Sequence, residues 1–477
     1  MTLRDLEKKR IAFLGLGLEN LALLKFLLKH RIKAEFTICD KRENEKELRG
    51  LPKGRKFGFK LGTDFNRNLE EFDILFRSPG WPIACPGIQD AIRAKKRRAA
   101  RERAGIMRLN HQSLLERSHN VGYVELKRRA AFKVDNFLSS PMNLFMELCS
   151  TKNVIGVTGT KGKGTTSTLI AEIIKSAKKK VWLGGNIGVA PFAFIDRIKK
   201  DDWVVLELSS FQLEDLRISP HIAVLTNFTP EHLAPADPNN PNFHKSLKAY
   251  WKAKASIYKW QSASDYLVMN SKLNIPLGKN QDGIFASQTI RFSKSELPSG
   301  IIGEHNKENV AAAVEVAKIL KIGTEVIAAA VKKYKGLEHR IEFVAEKKGV
   351  KYYNDTFATT PEAAITALKS FDAPIILLAG GADKGADFKE FAREIKKRTK
   401  FLILFAGRGS DRILAELKKA EYSVEHCMVV DNMKAAIAIA RKNAAAGDII
   451  LLSPACASFG VFRNYKERGQ LFKVFVK

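Results

Sequence analysis

Residues 154–169 read VIGVTGTKGKGTTSTL, and no other run limits the possible folds of this chain so strongly. An apolar, β-branched stretch enters a glycine-rich turn, and a lysine, hydroxyl residues and an apolar helical spacing follow. That order suits a buried strand, a loop of backbone N–H groups wrapped around phosphates, and a helix whose N-terminus favours anions. In the loop Gly159-Thr160-Lys161-Gly162-Lys163-Gly164, the three glycines permit close backbone approach, and Lys163 supplies a point charge for the β/γ-phosphates. The spacing between glycines is one residue shorter than in the common phosphate-loop motif, and Gly164 stands where a hydroxyl is expected. A plain glycine turn is the bland alternative; the strand before it and the helical pattern after it favour a nucleotide site.

At 477 residues the chain exceeds what one hydrophobic core supports, so two to four domains are expected. The five cysteines, Cys39, Cys85, Cys149, Cys427 and Cys456, are scattered and form no C-x-x-C, which argues against a disulfide framework or a zinc site. The opening MTLRDLEKKR has charge but no apolar stretch behind it, and no apolar run reaches the length of a membrane span. A reducing cytoplasm is the expected location. The net charge of +30 is partly local: thirteen basic and three acidic residues lie between Arg93 and Lys133. No basic face interleaved with aromatic residues is apparent, so nucleic-acid binding is not expected.

Three α/β segments follow one another. In the first, RIAFLGLG (10–17) reads as a strand into a tight turn, Glu19–His30 has helical spacing, and EFTICD (35–40) is a second strand ending in Asp40. Asn20 replaces the third glycine of G-x-G-x-x-G, which weakens a dinucleotide reading. A further strand at Ile74–Arg77 leads into Ser78-Pro79-Gly80. The second segment begins near Ser150 and carries strands at Trp203–Leu208 and Ile222–Asn227 and a helix around Leu247–Tyr258. The third starts around Leu337, with apolar runs at Ile375–Leu378, Phe401–Phe405 and Ile449–Leu452. Strands alternating with helices predict parallel sheets. Residues 93–137 break the order without a clean period, and read as an arginine-rich surface insertion or the product of a local frame error.

Polar clusters at strand ends are candidate sites in such sheets. GGNIG (184–188) is a glycine turn carrying Asn186, and Glu207 stands in an otherwise apolar strand. A buried carboxylate is costly unless paired or bound to metal, so Mg²⁺ ligation is favoured over a structural ion pair. His232 follows the next strand and is a second candidate ligand. Lys254 reads from its residues alone as a solvated helix lysine. His305, Asn306 and Asn309 lie three and four apart, on one face of a first helical turn.

Taken together, TGTKGKGTTS (158–167), GGNIG (184–188), LELSSFQLE (206–214), TPEHL (229–233), YWKAKASIY (250–258), GEHNKEN (303–309), LEHRIE (337–342), NDTFATTPEAA (354–364), GGADKGADF (380–388) and SPACASFGVFRNYKERG (453–469) resemble the Mur ligases of peptidoglycan synthesis. Within that family the chain is similar to the branch that adds D-glutamate to UDP-N-acetylmuramoyl-L-alanine. The motifs span all three segments in order; the middle of the basic insertion has no counterpart.

The resemblance implies three consecutive α/β domains: a Rossmann-like N-terminal domain (1–150) for the UDP-substrate, a P-loop ATPase-like central domain (151–336), and a Rossmann-like C-terminal domain (337–477) for the amino acid. It implies that Leu14, Gly15, Leu16, Gly17, Leu18, Asp40, Ser78, Pro79 and Gly80 meet the uridine diphosphate, with Ser209, Gln212 and Asn186 further along the substrate. Gly159 to Thr166 and Lys163 would take the ATP phosphates, His305, Asn306 and Asn309 the adenine side, and Arg340 and Asp355 the nucleotide from the third domain. Thr165 or Thr166 with Glu207 would hold one Mg²⁺, and His232 with a carboxylated Lys254 (N6-carboxylysine) a second. Because Gly164 lacks the hydroxyl, Thr165 is the expected first ligand. Thr359, Lys384 and Ser458 would clamp the D-glutamate carboxylates, with Phe459 and Tyr465 shaping the pocket. Phe357 departs from the family pattern, which carries lysine there.

The reaction implied is ATP-dependent amide-bond formation through an acyl phosphate, by a monomer with no membrane insertion. The alternatives are a Mur-type ligase of other amino-acid specificity or a catalytically impaired nucleotide-binding homologue. The Asp-Asn-Pro-Arg motif expected for diamino-acid addition is absent from the third segment. Lys163, Glu207, His232 and Lys254 are all present, which argues against decay.

Overall fold

Short apolar runs bounded by glycine and polar residues become three β-sheets in a computed structural model that describes residues 1–52, 54–113, 137–233, 242–273, 287–383 and 385–477. The first sheet holds β1 (Arg10–Leu14), β2 (Glu35–Asp40), β3 (Gly58–Leu61), β4 (Ile74–Arg77) and β5 (Leu138–Ser139), in the order β3-β2-β1-β4-β5 and all parallel. The second holds β6 (Val154–Thr158), β7 (Val181–Gly185), β8 (Trp203–Glu207), β9 (Ile222–Leu225), β10 (Tyr266–Asn270) and β11 (Gln288–Phe292), in the order β11-β10-β9-β6-β8-β7 and again parallel. The third, β12-β13-β17-β14-β15-β16, comprises β12 (Glu342–Lys347), β13 (Val350–Asn354), β14 (Ile375–Gly380), β15 (Thr399–Phe405), β16 (Cys427–Val430) and β17 (Ile449–Leu452). Only the β12–β13 pair is antiparallel.

The strands read as continuous apolar runs because parallel sheets are covered on both faces. VIGVT of β6, IAVL of β9, IILLAG of β14 and IILL of β17 are buried at every position. Registers then bring polar strand ends to one edge of each sheet. Leu14 lies opposite both Cys39 and Arg77, so the turns after β1, β2 and β4 meet. Val157 and Gly185 both lie opposite Glu207, and Thr158 opposite Leu225. Asn354 and Leu378 both lie opposite Leu452. In the first two sheets the chain leaves the central strand in both directions, which opens a crevice between β1 and β4 and between β6 and β9.

The chain divides into two compact units, residues 1–163 with 177–293 and residues 164–176 with 294–477. The first unit contains sheets one and two, with Phe13, Phe26, Phe145, Phe192 and Leu206 in one shared core. The second contains sheet three, with Leu377, Phe391 and Leu451 in the core on one side and Phe405, Leu452 and Phe472 on the other.

One sequence reading is corrected. The basic run after Arg93 is not irregular where it is described: the helix Pro86–Ser113 continues straight through it. Its alanines and arginines are good helix formers, and Ile88, Ala91 and Ala99 bury one side of it. Residues 114–136 lie outside the described residues. Among the described residues no helix is long and apolar enough to cross a membrane.

Candidate active site

The loop after β6 takes a shape that its glycines allow and its neighbours hold. Gly159 has φ +152° and Gly162 φ +81°, and a Cβ on Gly159 would collide with Thr226 Oγ1. From the end of β9, Thr226 Oγ1 donates to Lys161 O (2.6 Å), while Lys161 N donates to Asn227 Oδ1 (2.8 Å). Thr160 Oγ1 bonds to Thr229 O (3.1 Å) and pairs with Tyr250 Oη (3.2 Å). Lys161 Nζ reaches Glu231 at 2.6 Å. Lys163 Nζ folds back over the loop, donating to the carbonyls of Gly159 and Thr160 at 3.0 Å each. The loop is therefore preformed, with a cation at its centre.

Around it stand the residues singled out from the neighbouring strand ends. Glu207 is buried, and Asn186 binds it twice: Nδ2 donates to Oε1 (2.7 Å) and the backbone N to Glu207 O (2.8 Å). Gly185, at φ +99°, makes that approach possible, since a Cβ there would strike Glu207 O. Ser209 and Gln212 form a capping box on the short helix Ser210–Leu213, with Gln212 N donating to Ser209 Oγ (3.2 Å) and Ser209 N to Gln212 Oε1 (2.8 Å).

Lys254 corrects the surface reading of its residues. It sits in the helix Leu247–Ala255 with 1% of its surface exposed, and Nζ donates to Gly159 O at 2.7 Å. Burial, reinforced by Lys163, pushes its pKa well below the usual lysine value despite Glu231 and Glu207. His232 lies in a left-handed turn (φ +57°), its ring edge-on to Phe211 at 5.3 Å. Loss of hydration lowers its pKa, Glu231 opposes this and Lys163, Lys254 and Lys161 add to it, so the ring is held neutral, the form that binds metals.

At the first sheet, Gly15 (φ +77°) would place a Cβ 2.7 Å from Ser78 Oγ, which brings the turns after β1 and β4 together. Leu16 N donates to Asp40 Oδ2 (2.7 Å), and Arg42 holds both oxygens of that carboxylate at 2.8 and 2.6 Å. Burial alone would raise the Asp40 pKa, but these donors outweigh it and hold it low. Leu18, the first residue of the helix Leu18–Lys29, is left 79% exposed. Asn20 explains the missing glycine: its Nδ2 donates to Leu14 O, Gly15 O and Phe76 O at 3.2, 2.8 and 3.1 Å, tying β1 to β4.

The second unit gathers the remaining candidates. Thr166 Oγ1 bonds to Asn309 Oδ1 (3.3 Å), Asn309 Nδ2 to Asn306 Oδ1 (2.9 Å), and Tyr334 Oη to Thr165 O (3.5 Å). His305 makes no hydrogen bond to this pair; its ring lies against Gly303, and burial lowers its pKa. Asp355 accepts from Ser453 Oγ (2.8 Å) and Ile341 N (3.2 Å), and burial pushes its pKa up to about 7 against those bonds and Arg340. A cavity of about 210 Å³ is lined by Phe357, Thr359, Ser458, Phe459 and Tyr465, which brings four predicted amino-acid-binding residues together. Its volume lies below that of drug-sized pockets and suits a small ligand. The Arg340 guanidinium sits 3.9 Å from the Phe357 ring centre, and Tyr465 packs edge-on to the same ring. Lys384 lies outside the described residues.

Several residues in this machinery escaped the sequence reading. Arg468 is fully buried, with Nε donating to Thr356 Oγ1 (2.8 Å), Nη2 to Thr356 O (3.0 Å) and both terminal nitrogens to Cys456 O (3.3 Å). It fixes two of the cavity's loops, and NYKERG carries it only as one more arginine in a basic chain. Arg77 is equally buried, donating to Phe211 O and Asp215 at 2.6 Å each. His244 stacks on Phe211 at 4.6 Å and pairs with Ser210 Oγ at 2.9 Å, with its pKa down to about 4 chiefly through burial.

Three family models match in order: the Mur ligase MurD-like N-terminal domain over residues 9–97, the Mur ligase middle domain over 157–317, and the Mur ligase glutamate ligase domain over 339–456. The UDP-N-acetylmuramoylalanine–D-glutamate ligase of Symbiobacterium thermophilum is 33% identical, with 98% of each chain covered. That of Clostridium tetani is 34% identical over 98% of this chain and 96% of its own. Among solved structures, the UDP-N-acetylmuramate-alanine ligase of Thermotoga maritima superposes with a TM-score of 0.53 at 15% identity, covering 97% of this chain and 98% of its own. The MurF ligase of the same organism, in complex with ADP, gives 0.54 at 15% identity, covering 100% and 96%. The structural matches share the fold; the ordered domain matches and the full-length identity go further, and the chain belongs to the Mur ligase family.

Proposed function

We propose that this chain is the ATP-dependent ligase joining D-glutamate to UDP-N-acetylmuramoyl-L-alanine in the cytoplasmic assembly of peptidoglycan precursors, acting as a monomer. The observation that carries the reading is the meeting of a preformed phosphate loop with the Glu207–Asn186 pair at one sheet edge. Full-length relatives bearing that activity in their names supply the choice of amino acid. The proposed domain division is 1–150, 151–336 and 337–477, supported by the gaps between the three sheets and between the family matches; the two compact units cut across it, grouping 164–176 and 294–336 with the third sheet.

A carboxylate is a poor electrophile, so the L-alanyl carboxylate first takes the γ-phosphoryl group of ATP. Lys163, on the carbonyls of the loop, offsets the charge on the transferred phosphoryl oxygens. Asn186, oriented by Glu207, presents its amide to the acyl phosphate. The amine of D-glutamate then attacks the acyl carbon: a C–N bond forms, the nitrogen loses a proton and phosphate leaves. Leu14–Leu18, Asp40 and Ser78–Gly80 hold the uridine diphosphate, with Ser209 and Gln212 beyond it. His305, Asn306, Asn309, Arg340 and Asp355 serve the nucleotide, and Thr359, Lys384, Ser458, Phe459 and Tyr465 the amino acid.

Mg²⁺ fits this donor set. Glu207 offers a buried carboxylate, His232 a neutral ring, and Thr165 the hydroxyl that Gly164 lacks. A cationic Lys254 would repel the metal, but burial and Lys163 disfavour its charge. The neutral amine adds to CO₂, forming an N–C bond and losing a proton, and the resulting carboxylysine is an anionic oxygen ligand. When bound, the metal supplies Lewis-acid stabilisation of the transferring phosphoryl group.

The acyl-phosphate step is tested with substrate carrying ¹⁸O in its alanyl carboxylate. Released phosphate is expected to carry ¹⁸O, because the carboxylate oxygen leaves with it. Unlabelled phosphate with product formed would overturn the mechanism.

A further inference from the structure

A second concavity in the first unit, of about 760 Å³, uses none of the residues assigned to ATP, metal or either substrate. Arg93, Lys95 and Lys96 line it from the helix Pro86–Ser113. Arg217 and Lys245 face it from connecting segments of the central region, and Lys252 and Lys259 from the helix bearing Lys254 and the turn after it. Lys252 and Lys254 are two residues apart, hence on opposite sides of their helix: Lys254 is buried towards the phosphate loop, while Lys252 is exposed.

Seven cations thus converge on one cleft, Arg93 among them already paired with Asp90, and the carboxylates lining it are Glu214 and Asp215. Both of those are already held by Arg77, at 3.4 and 2.6 Å. Among the described residues, no carboxylate pairs with Lys96, Lys245, Lys252 or Lys259. Like charges gathered in a concave, low-dielectric wall focus a positive potential, and an anionic ligand relieves their mutual repulsion. The cleft also carries a ring. Trp260 is half-exposed, its Nε1 is fixed by donating to Leu216 O at 2.9 Å, and Lys259 Nζ lies 4.5 Å from the ring centre. A planar base beside a chain of phosphates matches an aromatic ring beside a bank of lysines, and the volume lies in the range of small-molecule pockets.

We propose that this cleft binds a nucleoside polyphosphate at a site separate from the phosphate loop after β6. The proposal stands independently of the ligase reading, since it needs no turnover. It is tested by calorimetric titration of the full chain with ADP. Two binding events are expected. Lys163→Ala should remove one, and the double change Lys252→Glu with Lys259→Glu should weaken the other at least tenfold. The second event should also weaken steeply between about 50 and 200 mM salt. Circular dichroism and the surviving loop event show that the variant is folded; Lys252→Gln with Lys259→Gln gives the same result in a milder form. Inorganic tripolyphosphate should compete for the cleft more weakly than ADP, and Trp260→Ala should remove that difference. A single event lost in Lys163→Ala, or two events indifferent to the charge changes, overturns the proposal. So does cleft-dependent binding of a single-stranded RNA dodecamer without ADP binding there.

Discussion

At the scale of single residues, the site turns on one side chain whose chemistry its neighbours in sequence conceal. Lys254 lies between Lys252 and a run of small and aromatic residues, and residue type alone makes it a surface lysine. Its contact with Gly159 O depends on how β6 and the helix Leu247–Ala255 come together, which local sequence does not encode. Family resemblance pointed to it; the burial and its depressed pKa give the reason. On the proposed role of Lys254 as a carboxylysine ligand, Lys254→Ala is expected to lower turnover by roughly 100-fold or more. Added short carboxylates should restore part of it, measured as phosphate release. Unchanged turnover would remove the carboxylysine from the account. Phe357 is the opposite case: the sequence exposed the missing lysine, but not that Arg340 lies against the replacing ring.

At the scale of elements, strands were far more legible than connections. Apolar runs such as IILL and IAVL mark buried strands, and the ends of β8, β2 and β13 carry Glu207, Asp40 and Asp355 to the sheet edges. The helix Pro86–Ser113 was not legible, because beyond Ile92 the buried side is marked by a residue as small as Ala99, which sets no period amid the arginines. Contacts that join elements distant in sequence were equally hidden. Glu19, at the start of the helix Leu18–Lys29, accepts from Gln212 Nε2 of the SSFQLE capping box. Its Oε2 is closed off from solvent without a donor, and burial pushes its pKa from 4.5 to about 7 against Gln212 and Arg77. The folded state therefore holds a proton that the unfolded chain has released between those values. The stability that this carboxyl contributes is present below pH 4.5 and lost as pH rises through 7. Glu19→Gln should remove up to about 3 kcal/mol of that pH dependence, read from denaturant unfolding at pH 4.5 and pH 8. Equal slopes for the two proteins would show that Glu19 is ionised in the folded state.

At the scale of the whole molecule, three sheets repeat one solution: polar turns gathered at the C-terminal ends of parallel strands. The order of motifs along the chain carried the resemblance that implies this architecture, and most of them, such as TGTKGKGTTS, GGNIG and GGADKGADF, follow the end of a strand. The meaning of the +30 charge was not legible, since charge in sequence has no direction; in the structure part of it lines one cleft. As a whole, the molecule couples ATP cleavage to the making of one amide bond. Phosphate release from ATP should require UDP-N-acetylmuramoyl-L-alanine and D-glutamate together, and should stay at background with either alone or with L-glutamate replacing D-glutamate. Equal release with another amino acid would contradict the specificity, and no release with both substrates present would contradict the activity.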